Sequence, residues 1–203
     1  MNNKNHKYLM EKLIKNISKY ITINNSDIEI INKVFSKKEY KKGEYLIEQG
    51  KRANEVFFIE KGLVRMYFVN ENGNEINTYF TSEESFITSF SSFINQHSSV
   101  EFIKAEKEIS AYSLNYSDFK TNNDFMIKFR TLFVEQNLVC VKNRLDLLQS
   151  SNAKQKYEHF IQNTNKKIIN GIPLYHIASY LGITAESLSR LRKKAFLIKS
   201  QEK

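Results

Sequence analysis

The side chains best suited to recognising another molecule lie close together in residues 182–194, GITAESLSRLRKK. A guanidinium group can donate two parallel hydrogen bonds to O6 and N7 of guanine, and a carboxylate can accept one from N4 of cytosine. Basic side chains further along such a run contact phosphates, which fix position and carry no sequence information. The spacing favours recognition of double-stranded DNA by Thr184, Ala185, Glu186, Ser189, Arg190, Arg192, Lys193 and Lys194.

A helix-turn-helix is the element that the surrounding sequence predicts for positioning these side chains. Pro173 suits the first turn of a helix, where a missing N–H group costs nothing. Gly182 can adopt the left-handed conformation that ends that helix, and Thr184 can cap the next one with Glu186 in its first turn. The inner faces of the two helices are apolar, with Ile177, Ala178, Leu181, Leu188 and Leu191 at helical spacing.

The charge of the C-terminal segment agrees with a nucleic-acid partner. The chain carries a formal net charge of +9, and residues 166–203 contain eight lysines or arginines against two glutamates. A basic segment attracts polyanions, although a solvated basic tail has the same composition. A helical hairpin with a basic surface is likewise an alternative to a DNA-binding motif. Motif and charge together favour DNA binding.

A long helix that is capped by Ser117 or Asn123 and runs to about Gln149 is predicted to have two apolar faces. Its first stripe advances by alternate steps of four and three residues, as in a coiled-coil seam, with Thr131 filling one place. The seam consists of Ile127, Val134, Leu138, Val141, Leu145 and Leu148, and the other face contains Phe125, Phe129, Leu132, Phe133, Cys140 and Leu147. A second copy of the chain is the partner that the seam favours, and burial within a monomer is the alternative.

The segment from Glu39 to Tyr116 predicts a β-rich domain. Short runs of aromatic and β-branched residues end at turn signals, among them a two-residue hairpin turn at Asn72-Gly73. Residues 81–99 are compatible with a strand, a short helix or a loop. Two short helices are expected before this domain, over residues 6–19 and from Asn25 onward, and residues 166–171 are expected to form a loop.

The sequence lacks the residues that several other classes of protein require. Cys140 is the only cysteine, so an internal disulfide and a cysteine-rich metal site are excluded. We find no paired catalytic carboxylates, no nucleophile–base spacing, no phosphate-binding glycine loop and no metal cluster, and we expect no enzyme activity and no cofactor. His176 is interpreted as a surface or phosphate-contacting residue. No apolar run is long enough for a membrane span or a signal peptide, so a cytoplasmic location is expected.

The chain resembles the Crp/Fnr family of transcription regulators over residues 7–194. The resemblance is carried by YKKGEYLIEQG (40–50), FFIEKGLVRMYF (57–68), the Asn72-Gly73 turn and IASYLGITAESLSRLRKK (177–194). It implies an α+β fold in which a double-stranded, jelly-roll-like β-roll sensor domain with flanking helices occupies residues 1–122. A dimerisation helix at 123–150 and a helix-turn-helix domain at 151–203 would follow. The implied partners are double-stranded DNA, a second copy, RNA polymerase and an effector of unknown identity.

Two departures from the family pattern affect what the resemblance implies. Members that bind cyclic nucleotides have a glutamate for the ribose and an arginine for the cyclic phosphate. Alignment places Thr88 and Ser89 in the corresponding turn and Ser99 at the arginine position, so we expect no binding of cyclic AMP. Family members also continue into a β-hairpin wing, whereas AFLIKSQEK leaves room for at most one short strand.

The expected function is sequence-specific DNA binding by a transcription regulator. The alternative is a sensor or scaffold module that acts through protein partners and does not bind DNA. The set Glu186, Ser189 and Arg190 favours the regulator, because a scaffold has no need of side chains that can contact bases.

Overall fold

The computed structural model describes residues 10–149 and 152–201, with the backbone alone from residue 194 onward. Two short helices open the described chain, α1 (Glu11–Ser18) and α2 (Asn25–Val34). The first part of the predicted helix over 6–19 lies outside the described residues. Asn24 caps α2 in a reciprocal arrangement, since its side chain accepts from the Asp27 N–H and the Asp27 carboxylate accepts from the Asn24 N–H.

Eight antiparallel strands form the β-roll. They are β1 (Phe35–Tyr40), β2 (Tyr45–Ile47), β3 (Glu55–Lys61), β4 (Val64–Val69), β5 (Glu75–Thr81), β6 (Ser85–Ile87), β7 (Phe102–Ala105) and β8 (Ile109–Asn115). One sheet has the order β1-β8-β3-β6 and the other the order β2-β7-β4-β5. The α+β prediction with an N-terminal β-roll is confirmed.

Two local expectations in the roll need correction or completion. The β4–β5 hairpin does not have a two-residue turn, because Asn70 pairs with Asn74 and encloses three residues, with Gly73 at φ 78°. A glycine in this conformation is the usual end of a three-residue hairpin loop. The ambiguous segment 81–99 contains both a strand, β6, and a short helix, α3 (Phe90–Asn95).

The remaining elements are helical. After α4 (Tyr116–Phe119), the long helix α5 spans Asp124–Gln149, and its first turn is capped by Asn123, whose side chain accepts from the Met126 N–H. Four further helices of the described chain follow α5, namely α6 (Ala153–Asn163), α7 (Lys166–Gly171), α8 (Leu174–Leu181) and α9 (Ala185–Gln201). The loop prediction for 166–171 is wrong, because the Asn165 side chain caps α7 and Ile168 is buried.

Two apolar cores position the helices. The first lies within the roll and receives one face of α5, where Phe129 and Phe133 stack on each other and meet Phe86 edge to face. The second core joins Leu63 and Phe80 of the roll to the C-terminal helices. Its other members are Leu147, Tyr157, Phe160, Ile168, Ile172, Ile177, Ala178, Leu181 and Leu188. No described helix is both long and apolar enough to span a bilayer.

Candidate nucleic-acid interface

The helix-turn-helix geometry arises from local sequence signals. Helix α8 ends at Gly182, which has φ 63° and ψ 40°, the left-handed conformation that glycine adopts at little cost. Helix α9 begins at Ala185, and the Thr184 hydroxyl accepts a hydrogen bond from the Ser187 N–H at 3.1 Å. Pro173 occupies the N-cap of α8, one residue before the position expected. The predicted glycine turn and threonine cap are both present.

Over residues 185–193 one face of α9 is exposed, and the opposite face packs against the protein. Leu188 is buried and Leu191 is half-buried. The exposed residues include every predicted DNA-contacting side chain whose exposure is described, namely Thr184, Ala185, Glu186, Ser189, Arg190, Arg192 and Lys193. The side chain of Lys194 lies outside the described part. The sequence pattern and the fold therefore agree on which face of the helix is available to a partner.

The N-terminal end of this face carries a carboxylate that is stabilised in its ionised form. Hydrogen bonds from the backbone N–H of Glu186 and from the Thr184 hydroxyl lower the pKa of the Glu186 carboxyl, and the positive charge of Arg190 adds to the effect. The Arg190 Nε also lies 3.4 Å from the Glu186 carbonyl oxygen. A carboxylate and a guanidinium one turn apart are suited to accepting from cytosine and donating to guanine.

His176 is buried at the contact between α8 and the roll, so its interpretation as a surface residue is wrong. Only 6% of the residue is exposed, and its Nδ1 lies 3.3 Å from Nδ2 of Asn77 on β5. The neighbouring Ser179 hydroxyl donates to the Glu75 carbonyl oxygen at 2.9 Å and accepts from the Asn77 N–H at 3.1 Å. These bonds join the first helix of the helix-turn-helix to the β4–β5 hairpin.

This environment makes stability depend on His176 at mildly acidic pH. Burial, together with the charge of Arg65, lowers the pKa of His176 from 6.5 to about 4. The folded state thus binds fewer protons than the unfolded state between these values. The contribution of neutral His176 to the free energy of unfolding is complete above pH 6.5 and is lost as the pH falls towards 4. Over this range the free energy of unfolding falls by at most about 1.4 kcal/mol per pH unit.

We expect His176→Gln to flatten the fall in the free energy of unfolding between pH 6.5 and 4. The measurement is urea unfolding at a series of pH values and constant protein concentration. His97→Gln, at an exposed histidine, is the control and should leave the wild-type slope in place. An unchanged slope in His176→Gln would show that this imidazole is not responsible.

The residues at the family's ligand position lie together inside the roll. Thr88, Ser89 and Ser99 are all buried, and the Ser99 hydroxyl donates to the Ser89 oxygen at 2.9 Å. The Ser89 hydroxyl donates in turn to Oε2 of Glu101 at 3.1 Å, and the Thr78 hydroxyl donates to Oε1 of the same carboxylate at 3.2 Å. Glu101 was missed from the sequence, because no local pattern shows that its side chain meets Ser89.

This chemistry does not fit a cyclic phosphate. Burial raises the pKa of the Glu101 carboxyl, although the bonds from Ser89 and Thr78 oppose that effect. In its ionised form Glu101 repels a phosphate, and in its protonated form it offers no positive charge. The buried Arg65 of the roll is paired elsewhere, with Glu106 and Glu75 at 2.7 Å each.

We expect cyclic AMP and cyclic GMP to bind with a Kd weaker than about 1 mM, since Ser89, Ser99 and Glu101 supply no cation to compensate the desolvated phosphate. Isothermal titration calorimetry with each nucleotide measures this. Glu101→Gln, which removes the carboxylate without adding a cation, should also give no measurable heat. Micromolar affinity of the unmodified chain for either nucleotide would contradict the expectation.

The seam on α5 remains exposed in the single chain. The exposed fractions are 46% for Ile127, 45% for Val134, 67% for Leu138, 64% for Val141, 47% for Leu145 and 46% for Leu148. On the opposite face Phe125, Phe129, Leu132, Phe133 and Leu147 are buried, and Cys140 is half-buried with its thiol 3.4 Å from the Tyr79 hydroxyl. The helix therefore has the two apolar faces that the sequence predicts, and the protomer covers one of them.

Comparison with known proteins agrees with this architecture. Residues 37–121 match the sequence model of the cyclic nucleotide-binding domain. No curated protein sequence matches the chain.

Solved structures extend the likeness to the C-terminal helices. FixK2 from Bradyrhizobium japonicum has a TM-score of 0.69 at 17% identity, covering 82% of this chain and 86% of its own. The c-di-GMP-responsive global regulator CLP from Xanthomonas campestris has a TM-score of 0.64 at 13% identity, and the match covers 87% of this chain and 93% of CLP. TTHA1359, a transcriptional regulator of the CRP/FNR family from Thermus thermophilus, has a TM-score of 0.60 at 15% identity, and the match covers 78% of this chain and 84% of TTHA1359. Residues 37–121 thus match the cyclic nucleotide-binding domain in sequence, and most of the chain shares its fold with regulators of the Crp/Fnr type.

Proposed function

We propose that the chain is a dimeric, sequence-specific DNA-binding transcription regulator of the Crp/Fnr type. The observation that carries the proposal is the face of α9, where Glu186, Ser189, Arg190 and Lys193 are exposed together on a capped helix. An α-helix fits the major groove, and in this motif the N-terminal residues of the second helix contact base edges.

The charges on this surface divide the contacts into two kinds. Glu186 and Arg190 lie in the first two turns of α9 and are assigned to bases. Arg192, Lys193 and Lys194 follow and are assigned to phosphates, which position the helix on the duplex. The backbone of α9 continues as helix to Gln201, so residues 195–201 do not form the short strand that the sequence left possible.

The exposed seam supports a homodimer as the DNA-binding form. Ile127, Val134, Leu138, Val141, Leu145 and Leu148 leave an apolar stripe along a helix of 26 residues, and a second copy would cover it in a coiled-coil arrangement. A two-fold dimer presents two copies of α9, so the operator should be a near-palindrome with half-sites about 10 bp apart.

The same proposal assigns a role to each segment of the chain. Residues 1–122 would form the sensor domain, 123–150 the dimerisation helix and 151–203 the DNA-binding domain. The roll would not use cyclic AMP, because Ser89 and Ser99 align with the glutamate and the arginine that bind the nucleotide, and the neighbouring Glu101 adds no positive charge. RNA polymerase is the proposed protein partner, a cytoplasmic location is proposed, and no catalytic activity is assigned.

Selection of DNA from a fragmented genomic library tests the function directly. We expect repeated rounds of binding and amplification to enrich fragments that share a two-fold symmetric sequence. The matched control is the Glu186→Ala/Arg190→Ala variant, which alters exposed side chains and should enrich no common sequence. If the unmodified dimer also enriches none, the protein is not a sequence-specific regulator and the scaffold alternative gains support.

A further inference from the structure

A cavity of about 260 Å³ lies where the roll meets the C-terminal helices, and Thr88, Ser89 and Ser99 are not among the residues that line it. The roll contributes residues 79–83 and Ser85, which belong to β5, β6 and the loop between them. The opposite walls come from α5, α6, α7 and α8. A cavity built from both halves of a chain is a common location for a small-molecule site.

The walls combine aromatic rings with many polar side chains. The Tyr180 ring lies against Phe80 and Phe160, with centroid distances of 5.1 and 5.7 Å. Tyr79 lines the cavity as well, and asparagine side chains, including Asn143 and Asn163, contribute hydrogen-bonding groups. Aromatic walls together with polar groups that fix orientation suit a small organic molecule that has both a ring and a polar group.

Arg144 gives the cavity a positive charge. Its guanidinium lies 4.0 Å from the centroid of the Tyr180 ring, and its N–H groups donate to the carbonyl oxygens of Tyr180 and Asn77. These two bonds use two of the five N–H groups of an arginine. Within the described ranges no carboxylate pairs with Arg144, and burial lowers the pKa of its guanidinium.

The acidic residue at the cavity does not compensate this charge. Glu83 lines the cavity, but its carboxylate is 2.9 Å from Nζ of Lys167 and forms an ion pair with it. The hydrogen bond and charge of Lys167 help to lower the pKa of the Glu83 carboxyl, against the effect of burial. Because Lys167 pairs with Glu83, the charge of Arg144 is left for a ligand.

We propose that this cavity is a binding site for a small aromatic carboxylic acid, whose carboxylate pairs with Arg144 while its ring packs among Phe80, Phe160 and Tyr180. A planar guanidinium matches a carboxylate in a bidentate geometry, and a single cation suits a monoanion. The proposal goes beyond DNA binding and does not depend on it. Because both halves of the chain line the cavity, a bound acid stabilises this arrangement of the roll and the C-terminal helices.

Calorimetry and ligand-observed NMR with two pairs of probes test the site. Benzoate and 2-naphthoate are each compared with the corresponding carboxamide, which has the same shape without the charge. We expect the naphthoate to bind at least about tenfold more tightly than the naphthamide, as a charge-assisted pair requires. The acid should also raise the Tm of the full chain. Equal affinity for acid and amide, or no binding of either acid, would overturn the proposal.

Variants of Arg144 test whether this residue is responsible for the preference for the acid over the amide. Arg144→Gln should abolish the preference for the acid, and Arg144→Lys should retain part of it. Arg130→Gln is the matched control, because Arg130 lies on the same helix, also donates to two backbone carbonyls, and lies outside the cavity. If Arg144→Gln does not fold, nuclear Overhauser contacts from naphthoate to the rings of Phe160 and Tyr180 in the unmodified protein decide the question. Contacts to other rings would refute the site.

Discussion

The Leu138→Asp/Leu145→Asp variant is expected to be monomeric at concentrations where the unmodified chain is a dimer. Leu138 and Leu145 lie seven residues apart on the seam of α5 and are 67% and 47% exposed in the single chain. Full burial of a leucine contributes roughly 1.5–3 kcal/mol. An aspartate in the same place would have to lose its hydration, so the substitution both removes the attraction and adds a penalty.

Light scattering and sedimentation of the two proteins measure this effect. Val139→Asp serves as the control, since Val139 is an exposed apolar residue of the same helix and lies about 100° around its axis from Leu138. The control should remain dimeric, and both variants should keep the helical content of the unmodified chain because neither site belongs to the core. A dimeric Leu138→Asp/Leu145→Asp variant would mean that another surface holds the two copies together.

Elements governed by local periodicity could be predicted from the sequence. The two stripes of α5 follow from the 3.6-residue repeat, and the structure buries one stripe and exposes the other. The turn at Gly182 and the cap at Thr184 depend on residues that are close together in the chain. The structure confirms both signals.

Features that depend on distant parts of the chain could not be predicted. His176 has no local signal for burial, since its partner Asn77 is 99 residues away and belongs to a strand. The role of Glu101, which immediately precedes β7, depends on how the fold brings it to Ser89 and Thr78. The helix at 166–171 was missed for a related reason, because burial of Ile168 in a core shared with the roll stabilises that turn. Such a short element depends on tertiary packing in addition to local signals such as its Asn165 cap.

Arg190→Ala should weaken binding to the selected operator by about 1–3 kcal/mol and leave binding to scrambled DNA nearly unchanged. The reason is the position of Arg190 on the exposed face of α9, one turn after Glu186 and opposite the buried Leu188. A bidentate contact to one guanine contributes to the cognate site only. Discrimination should therefore be lost at a single base pair in each half-site.

Lys193→Ala is the control that distinguishes a base contact of Arg190 from a phosphate contact. Lys193 is also exposed on α9, but a lysine that contacts a phosphate affects every sequence alike. Its removal should weaken cognate and scrambled DNA by the same factor and reduce the slope of log K against log salt by about one. Fluorescence anisotropy on both DNAs over a range of salt concentrations separates the two behaviours. An equal loss on both DNAs in Arg190→Ala would identify Arg190 as a phosphate contact, and base recognition would then have to come from other residues of α9.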